Sequence, residues 1–427
     1  MAATRKTERR PRSRAAARPK PPLEYSILYT ATLCLLAAGA VMVYSASSAE
    51  SLLTGPGDPA YYLKRYLILA VIGVAVLHAL SRHGLDVMRK ATPLLLGASF
   101  LLTLAVMVPG VGVNVNGATR WLGAGPLQFQ PSELLKVSLV LYAAQVLTTQ
   151  PRRMRSLKEL ANPLLLVVGA ACLLLLKQPD MGTALVVCFS IGALLISAGV
   201  PVRHLLTILG VLVFFATIFA IVEPYRRARL MSFVNPWHDA TGAGFQSVQS
   251  MIAIGSGGMF GRGLGESVQK IFYLPEAHTD MILAIIGEEL GLIGISAVAA
   301  LYGLIAYAGL RAAKLAKDRY SKLVAAGLTS LVLSQATLNF MAVLGLAPLT
   351  GVPLPFISYG NSNLIVMLAG MGVLLNVART GGSGRATSRP RPLRAIDGGA
   401  RGSGDDRGGR NGRPRRAGAG DRRRATG

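Results

Sequence analysis

One short stretch, residues 273–291, holds the side chains with the clearest capacity for chemistry. It reads YLPEAHTDMILAIIGEELG and contains Glu276, His278, Asp280, Glu288 and Glu289. The stretch begins polar and becomes apolar from Met281, which predicts that Asp280 opens a helix with Thr279 as its cap. The positive end of a helix dipole favours an ionised carboxylate. Asp280 is therefore the candidate catalytic base, and an acid that only stabilises its helix is the alternative.

A second pair of charged residues lies in QPSELLK, just before another apolar run. Glu133 and Lys136 are three positions apart, so they are predicted to share one face of a helix. The plain alternative is a helix start in which the acid complements the dipole and the lysine pairs with it. Asp180, in KQPDMGTA, follows a proline and is more typical of a structural cap than of a functional acid.

The composition places these residues in a membrane protein. Hydrophobic residues make up 52% of the chain and charged residues only 15%, and apolar runs near the membrane-spanning length of about 20 residues recur. This pattern predicts an all-α polytopic membrane protein with about ten transmembrane helices and a large external loop between helices 7 and 8. The predicted spans are residues 27–45, 63–80, 92–108, 133–147, 163–176, 181–198, 204–222, 280–310, 323–346 and 362–377.

Basic residues set the predicted domain limits and orientation. The formal net charge is +25, and most of it lies in residues 1–22 and 379–427, two tails predicted to be disordered. The tails flank a membrane domain of residues 23–378, and the positive-inside rule places both termini in the cytoplasm. There the tails are expected to be attracted to anionic lipid of the inner leaflet. Several basic residues break the rule by falling in the external loop, residues 223–279: Arg226, Arg227, Arg229, Arg262 and Lys270.

The predicted external segments have some structure of their own. Residues 109–132 alternate between apolar and polar side chains, which favours a short re-entrant or hairpin element. Residues 244–255 are amphipathic. The glycine run GSGGMFGRGLGES that follows lacks the residue order of a phosphate-binding loop, so it is expected to pack against another segment or to form a loop. The three cysteines lie in apolar runs without metal-ligand spacing, and no metal site is predicted.

The two glutamates at the end of residues 273–291 are expected to support the fold and not to take part in the chemistry. On one continuous helix, Glu288 would be rotated by about 80° and Glu289 by about 180° from Asp280. A straight helix over residues 280–310 would be about 46 Å long, so its first turns should project from the membrane. Acids at the boundary are costly unless they are paired or wet, and a basic partner is therefore expected.

Five segments, taken in order, resemble the shape, elongation, division and sporulation family of peptidoglycan polymerases. They are NGATRWLGAGPLQFQPSELLK, KQPDMGTA, PYRRARLMSFVNPW, YLPEAHTDMILAIIGEELG and PLTGVPLPFISYG. The resemblance runs from residue 25 to residue 377 and is nearer to the division branch than to the elongation branch. Two departures stand out: residues 281–283 replace common aromatic residues, and Asn361 and Asn363 replace the usual glycine and serine.

The resemblance implies a glycosyltransferase that polymerises lipid II at the outer face of the cytoplasmic membrane, at the division septum. Asp280 matches the family's essential aspartate, the base that would take the proton from the acceptor 4-hydroxyl as undecaprenyl pyrophosphate leaves with inversion. Glu133 and Lys136 match an acid and a lysine of functional importance in the family. From charge and position we assign pyrophosphate binding to Arg120, Arg226, Arg227, Arg229 and Lys270, with His278 in a supporting role.

The resemblance also implies a partner, a class B penicillin-binding transpeptidase with one membrane span, beside other membrane proteins of the division machinery. The sequence requires no cofactor, and assistance by Mg²⁺ or Mn²⁺ stays open. Three other roles stay open: a flippase for lipid II, a division scaffold that recruits the transpeptidase, and the elongation role in cell shape. A flippase should carry charges along a path through the membrane middle, whereas the predicted spans are nearly free of charge apart from Glu288 and Glu289.

Overall fold

The chain forms a bundle of long apolar helices in this computed structural model. The described residues are 21–386, except residues 54, 56, 84, 116–117, 125–126, 152–155, 223–230, 243 and 272. The predicted tails therefore lie mostly outside the described residues. The last helix, however, continues to Ala386, eight residues into the segment predicted to be a tail.

The first part of the chain combines three helices with a small sheet. The helices are α1 (Leu23–Leu53), α2 (Tyr61–Arg82) and α3 (Leu85–Ala105). The strands are β1 (Gly112–Val115), β2 (Ala118–Ala124) and β3 (Leu127–Phe129), paired antiparallel in the order β1–β2–β3. The hairpin interpretation of residues 109–132 is confirmed, and this sheet is an addition to the predicted all-α fold.

The remaining elements are helical. Before the long loop they are α4 (Pro131–Thr149), α5 (Leu157–Leu160), a π-helical turn (Ala161–Leu165), α6 (Leu166–Lys177), α7 (Met181–Ala198) and α8 (Val202–Val222). Afterwards come a 3₁₀ turn (Pro236–Asp239), α9 (Phe245–Gly257), α10 (Ile282–Leu315), α11 (Arg319–Val343) and α12 (Asn361–Ala386). The predicted amphipathic segment is α9.

Within the residues that the structure describes, eight helices are long and apolar enough to cross a membrane. They are α1, α2, α3, α7, α10, α11, α12 and the continuous segment Leu157–Lys177. The polytopic membrane fold is confirmed, whereas the count of ten spans remains a prediction. It depends on α4, which carries Glu133 and Lys136, and on α8, whose described apolar run is Val202–Phe215.

The centre of the bundle is the first half of α10 together with α11. All residues from Ile282 to Glu289 are buried, which agrees with a helix that is apolar on nearly every side. Helices α1, α9, α11 and α12 pack around α10. Helix α4 packs against α3, α7 and α11, so its buried face is also enclosed. This core brings Glu133, Lys136 and the residues next to Asp280 into one region.

Helix α10 differs from the straight helix predicted for residues 280–310. It begins at Ile282, and among the described residues no side chain caps it, so the expected Thr279 cap is wrong. It also breaks at Gly291, which has φ 66° and ψ −164°, a backbone conformation that is essentially restricted to glycine. The membrane half that follows, residues 292–315, is about 36 Å long, close to one membrane thickness.

A glycine-rich strap, residues 258–263, satisfies the backbone groups freed by this break. Its four hydrogen bonds run from Arg262 N to Glu288 O (2.9 Å), Gly263 N to Glu289 O (3.0 Å), Leu292 N to Gly258 O (2.9 Å) and Ile293 N to Met259 O (3.3 Å). A Cβ on Gly261 would lie 2.1 Å from the Glu289 carbonyl oxygen, so only glycine permits this approach. The glycine run therefore packs against a helix, as its plain interpretation predicted.

Candidate functional site

Asp280 lies two residues before α10, in a turn that its neighbours hold tightly. Glu276 has a positive φ of 56°, and its carbonyl accepts the amides of Thr279 (3.1 Å) and Met281 (3.3 Å). The Thr279 hydroxyl lies 2.8 Å from Glu276 Oε2 and 3.3 Å from Asp280 Oδ1. From α11, Asn339 Nδ2 donates to the Asp280 carbonyl at 2.7 Å. The backbone of the candidate base is thus fixed by its own turn and by α11.

Asn339 also joins this turn to the loop that precedes α12. Its Nδ2 donates to the Val352 carbonyl at 2.8 Å. A Cβ on Gly351, which has φ 69°, would stand 3.8 Å from Asp280 Oδ2, so this loop passes beside the carboxylate. The sequence reasoning missed Asn339. Its signal was a polar amide inside an apolar span, which is costly in a membrane unless it is hydrogen-bonded.

Glu133 and Lys136 form a buried ion pair on one face of α4, as their spacing predicted. Lys136 Nζ lies 2.9 Å from Glu133 Oε2, and the exposed fractions of the two residues are 1% and 2%. Lys136 Nζ also donates to Gln335 Oε1 at 2.8 Å, and Asn363 Nδ2 donates to Glu133 Oε2 at 2.7 Å. Asn363, where the family usually has another residue, therefore donates a hydrogen bond to the acid of this pair.

One face of α11 connects the ion pair to the turn of Asp280. Gln335 and Asn339 are four residues apart and so lie one helical turn from each other. Gln335 contacts Lys136 and donates from Nε2 to the Pro353 carbonyl at 2.9 Å, next to the Val352 carbonyl that Asn339 holds. The two sites predicted separately are thus parts of one polar arrangement, linked by two amide side chains and one loop.

Arg120 and Asp180 stabilise a neighbouring turn between α6 and α7. Arg120, on β2, donates from Nε to the Gln178 carbonyl at 3.0 Å and from its terminal nitrogen to the Pro179 carbonyl. Asp180 accepts the Thr183 amide at 3.2 Å, which confirms its structural cap role. Arg120 is half-buried, and its guanidinium is directed at backbone carbonyl groups.

Lys270 takes a different position from the one predicted for a pyrophosphate ligand. It is 8% exposed, and its Nζ lies 2.9 Å from Glu289 Oε1. The Ser45 hydroxyl of α1 also donates to Glu289, at 2.6 Å to Oε1. An ammonium group held in this way neutralises a buried carboxylate and ties the long loop before α10 to α1 and α10. This geometry favours a structural role for Lys270 over the predicted contact with the pyrophosphate.

Glu288 faces the long loop before α10, on another side of this helix. It accepts the Ser267 hydroxyl at 2.5 Å and the amides of Val268 (3.2 Å) and Gln269 (3.3 Å), and Arg262 lies 3.6 Å away. Both glutamates are fully buried and paired with a cation, as expected for acids near the membrane boundary. They support the loop that leads to Asp280.

His278 is buried between aromatic rings and an acid. Its ring centroid lies 4.4 Å from that of Tyr62 and 5.8 Å from that of Tyr359, and its Nδ1 lies 3.4 Å from Glu50 Oε2. Burial raises the pKa of Tyr359, and a hydrogen bond from Arg65 only partly offsets this effect. The Tyr359 hydroxyl therefore stays neutral near pH 7. The supporting role expected of His278 has a geometric basis in these contacts.

Three of the predicted cations, Arg226, Arg227 and Arg229, lie outside the described residues. Over the part of the chain that the structure does describe, no group of three or more histidine, cysteine, aspartate or glutamate side chains is arranged to hold a metal ion. Assistance by Mg²⁺ or Mn²⁺, which the sequence does not require, stays open, and metal chelation can test it.

Comparison with known proteins identifies relatives along most of the chain. A family profile described as "Cell cycle protein", for FtsW, RodA and SpoVE, matches residues 26–382. Stage V sporulation protein E of Bacillus subtilis is 39% identical over 355 residues, covering 83% of this chain and 96% of its own. A probable peptidoglycan glycosyltransferase FtsW of Thioalkalivibrio sulfidiphilus is 44% identical over 359 residues, covering 82% of this chain and 88% of its own.

Two solved structures share the fold. A chain from a solved structure described as "Structural coordination of polymerization and crosslinking by a peptidoglycan synthase complex" superposes with a TM-score of 0.68 and 33% identity, covering 83% of this chain and 97% of that one. The rod shape determining protein RodA of Thermus thermophilus superposes with a TM-score of 0.59 and 30% identity, covering 82% and 95%.

Proposed function

The chain belongs to the FtsW, RodA and SpoVE family of cell cycle proteins, and from that premise we propose that it polymerises lipid II into glycan strands. The observation that carries the proposal is the placement of Asp280. Its carboxylate lies in the turn just before α10, beside the Gly351 loop, with its backbone fixed by Asn339. Relatives named peptidoglycan glycosyltransferases support the reaction class.

In the proposed reaction, Asp280 accepts the proton of the acceptor sugar 4-hydroxyl. The freed oxygen forms a bond to the anomeric carbon of the donor, and the bond from that carbon to the pyrophosphate breaks with inversion. The leaving undecaprenyl pyrophosphate carries away the electron pair. A positioned carboxylate base typically contributes about 10²–10⁴-fold to such a transfer. Cations near the leaving group would stabilise the charge that develops there.

The supporting residues divide into two groups under this proposal. Lys136 is paired with Glu133 and contacts Gln335 on α11, the helix from which Asn339 holds the Asp280 backbone. Glu133 and Lys136 therefore act by preorganising the site. The leaving pyrophosphate is assigned to the cations that the sequence predicts to bind it, apart from Lys270. The candidates are Arg120, Arg226, Arg227 and Arg229.

The cellular setting is also a proposal. We place the protein in the cytoplasmic membrane at the division septum, with both termini inside and the Asp280 turn outside. The solved relative comes from a peptidoglycan synthase complex that couples polymerization to crosslinking, which supports a class B transpeptidase as partner. Other membrane proteins of the division machinery and anionic inner-leaflet lipid complete the expected contacts.

One reconstitution experiment separates this proposal from a flippase and from a scaffold. Purified protein in liposomes receives lipid II, and glycan strands are resolved by gel while transbilayer movement of labelled lipid II is followed in parallel. We expect strands from the wild type and none from Asp280→Asn. Transbilayer movement without strands, from both proteins, would favour the flippase. Absence of both activities, even with the transpeptidase added, would favour the scaffold.

The choice between division and elongation needs a cellular measurement. Depletion of the protein should give filaments that lack septa if it acts in division. Round cells with normal septa would instead indicate the elongation role.

A further inference from the structure

Glu50, near the end of α1, lies against the turn that carries Asp280. Its Oε2 is 3.4 Å from His278 Nδ1, and His278 is two residues before Asp280. We propose that Glu50 is a positioning residue for the polymerisation reaction: it holds His278, and His278 fixes the turn that presents the Asp280 carboxylate. The inference rests on the proposed function of Asp280 as the base.

The imidazole of His278 is enclosed on its other sides. Tyr62 from α2 and Tyr359 from the loop before α12 lie against it, and the two tyrosine rings contact each other with centroids 5.0 Å apart. The Tyr359 amide also donates to the His278 carbonyl at 3.0 Å. Within the described structure, the buried Nδ1 has no partner at full hydrogen-bond geometry. The Glu50 carboxylate is the charged group placed within reach of it.

This turn needs anchors from outside itself. Glu276 adopts a positive φ, and the Thr279 hydroxyl makes its contacts inside the turn. A strained backbone of this kind persists only when the surrounding structure determines it from several sides. Asn339 holds the turn from α11. His278 is the side chain through which residues of α1 and α2 contact the turn.

The exposure of Glu50 makes a catalytic effect separable from a loss of folding. Its side chain is 43% exposed, and an ion pair at such a site contributes only about 0–1 kcal/mol to stability. Misplacement of a catalytic group by about 1 Å can nevertheless cost about 100-fold in rate. Removing the carboxylate should therefore leave the protein folded and slow the reaction.

The test measures polymerisation rate against lipid II concentration for full-length Glu50→Ala, Glu50→Gln and His278→Ala. We expect kcat to fall about tenfold or more in Glu50→Ala with KM nearly unchanged, because the base is misplaced while the binding groups stay. Glu50→Gln keeps an acceptor oxygen and should retain more activity than Glu50→Ala. The double variant with His278→Ala should be no slower than the slower single variant, because under the proposal both residues affect the rate through the Glu50–His278 contact.

Glu266→Ala is the matched control. It removes an exposed acid of the same external region and should behave like the wild type in kcat and KM. Wild-type kcat in Glu50→Ala, with the wild-type protein active, would overturn the inference while leaving the proposed function intact. A wild-type protein that makes no polymer would instead remove the proposed function.

A second measurement does not depend on polymerase activity, so it tests the inference even if the wild-type protein makes no polymer. Diethylpyrocarbonate modifies accessible imidazoles, and mass spectrometry of the peptide that contains His278 gives its rate of modification. We expect the rate to rise severalfold in Glu50→Ala and to stay at the wild-type value in Glu266→Ala. Equal rates in all three proteins would show that Glu50 does not hold His278, and would overturn the inference on structural grounds.

Discussion

Replacing Gly291 by alanine tests the break in α10 that separates the membrane half of this helix from the half leading to Asp280. The backbone conformation at Gly291, φ 66° and ψ −164°, costs a residue with a Cβ about 1–3 kcal/mol. The new Cβ would also lie 2.4 Å from Gly261 N and 2.5 Å from the Met259 carbonyl oxygen. Both are backbone atoms of the strap, which must move away.

The strap cannot move without weakening the hydrogen bonds that bridge the break. The four described bonds are worth about 1 kcal/mol each. If the substitution strains the backbone and loses one or two of them, the variant should be less stable by about 2–5 kcal/mol. The direction of residues 282–290 relative to the membrane half would then be less well defined, and polymerisation should slow with it.

The assay is thermal unfolding of the purified protein in detergent, followed by intrinsic fluorescence, beside the polymerisation rate. Gly303→Ala, on the same helix, is the control: apart from its chain neighbours and the nearby backbone of its own helix, no atom of the described chain lies within 4 Å of the site of its Cβ. There alanine should be neutral or stabilise by up to about 1 kcal/mol. A Gly291→Ala protein that melts at or above the temperature of Gly303→Ala would refute the reasoning about the break.

Three further substitutions test the buried polar contacts. Lys136→Met leaves the Glu133 carboxylate buried without its cation, so the free energy of unfolding should fall by about 3–5 kcal/mol. A melting temperature equal to that of the wild type would contradict the pairing. Lys270→Met should also lower the melting temperature but leave the affinity for lipid II unchanged, since the Lys270 ammonium is buried against an acid. Weaker lipid II binding in a folded variant would instead support Lys270 as a substrate ligand. Asn339→Leu removes the donor to the Asp280 carbonyl and should lower kcat more than it raises KM, and the reverse pattern would place it in substrate binding.

The sequence predicted elements and pairs that depend on local spacing. Glu133 and Lys136 share a helix face because they are three residues apart, and the structure joins them in an ion pair. Asp180 caps α7 through the Thr183 amide, as an acid after a proline should. The amphipathic helix α9 and the hairpin over residues 109–132 followed in the same way from periodicity.

The errors came from contacts between distant segments. Lys270 was assigned to a phosphate because it is basic and predicted to be external, but its partner Glu289 is set by how the long loop folds back onto α10. The break at Gly291 depends on the strap supplying backbone partners, which local periodicity does not encode. Asn339 and Glu50 acquire their importance only when α11 and α1 are placed beside the turn of Asp280.

The most direct test of the central claim compares wild type and Asp280→Asn in lipid II polymerisation, with lipid II binding measured on the same preparations. Asparagine has nearly the shape of the aspartate but cannot act as the base. The account predicts a loss of at least about 100-fold in polymerisation rate, with lipid II affinity and melting temperature close to wild type. An Asp280→Asn protein that polymerises lipid II at the wild-type rate would contradict it.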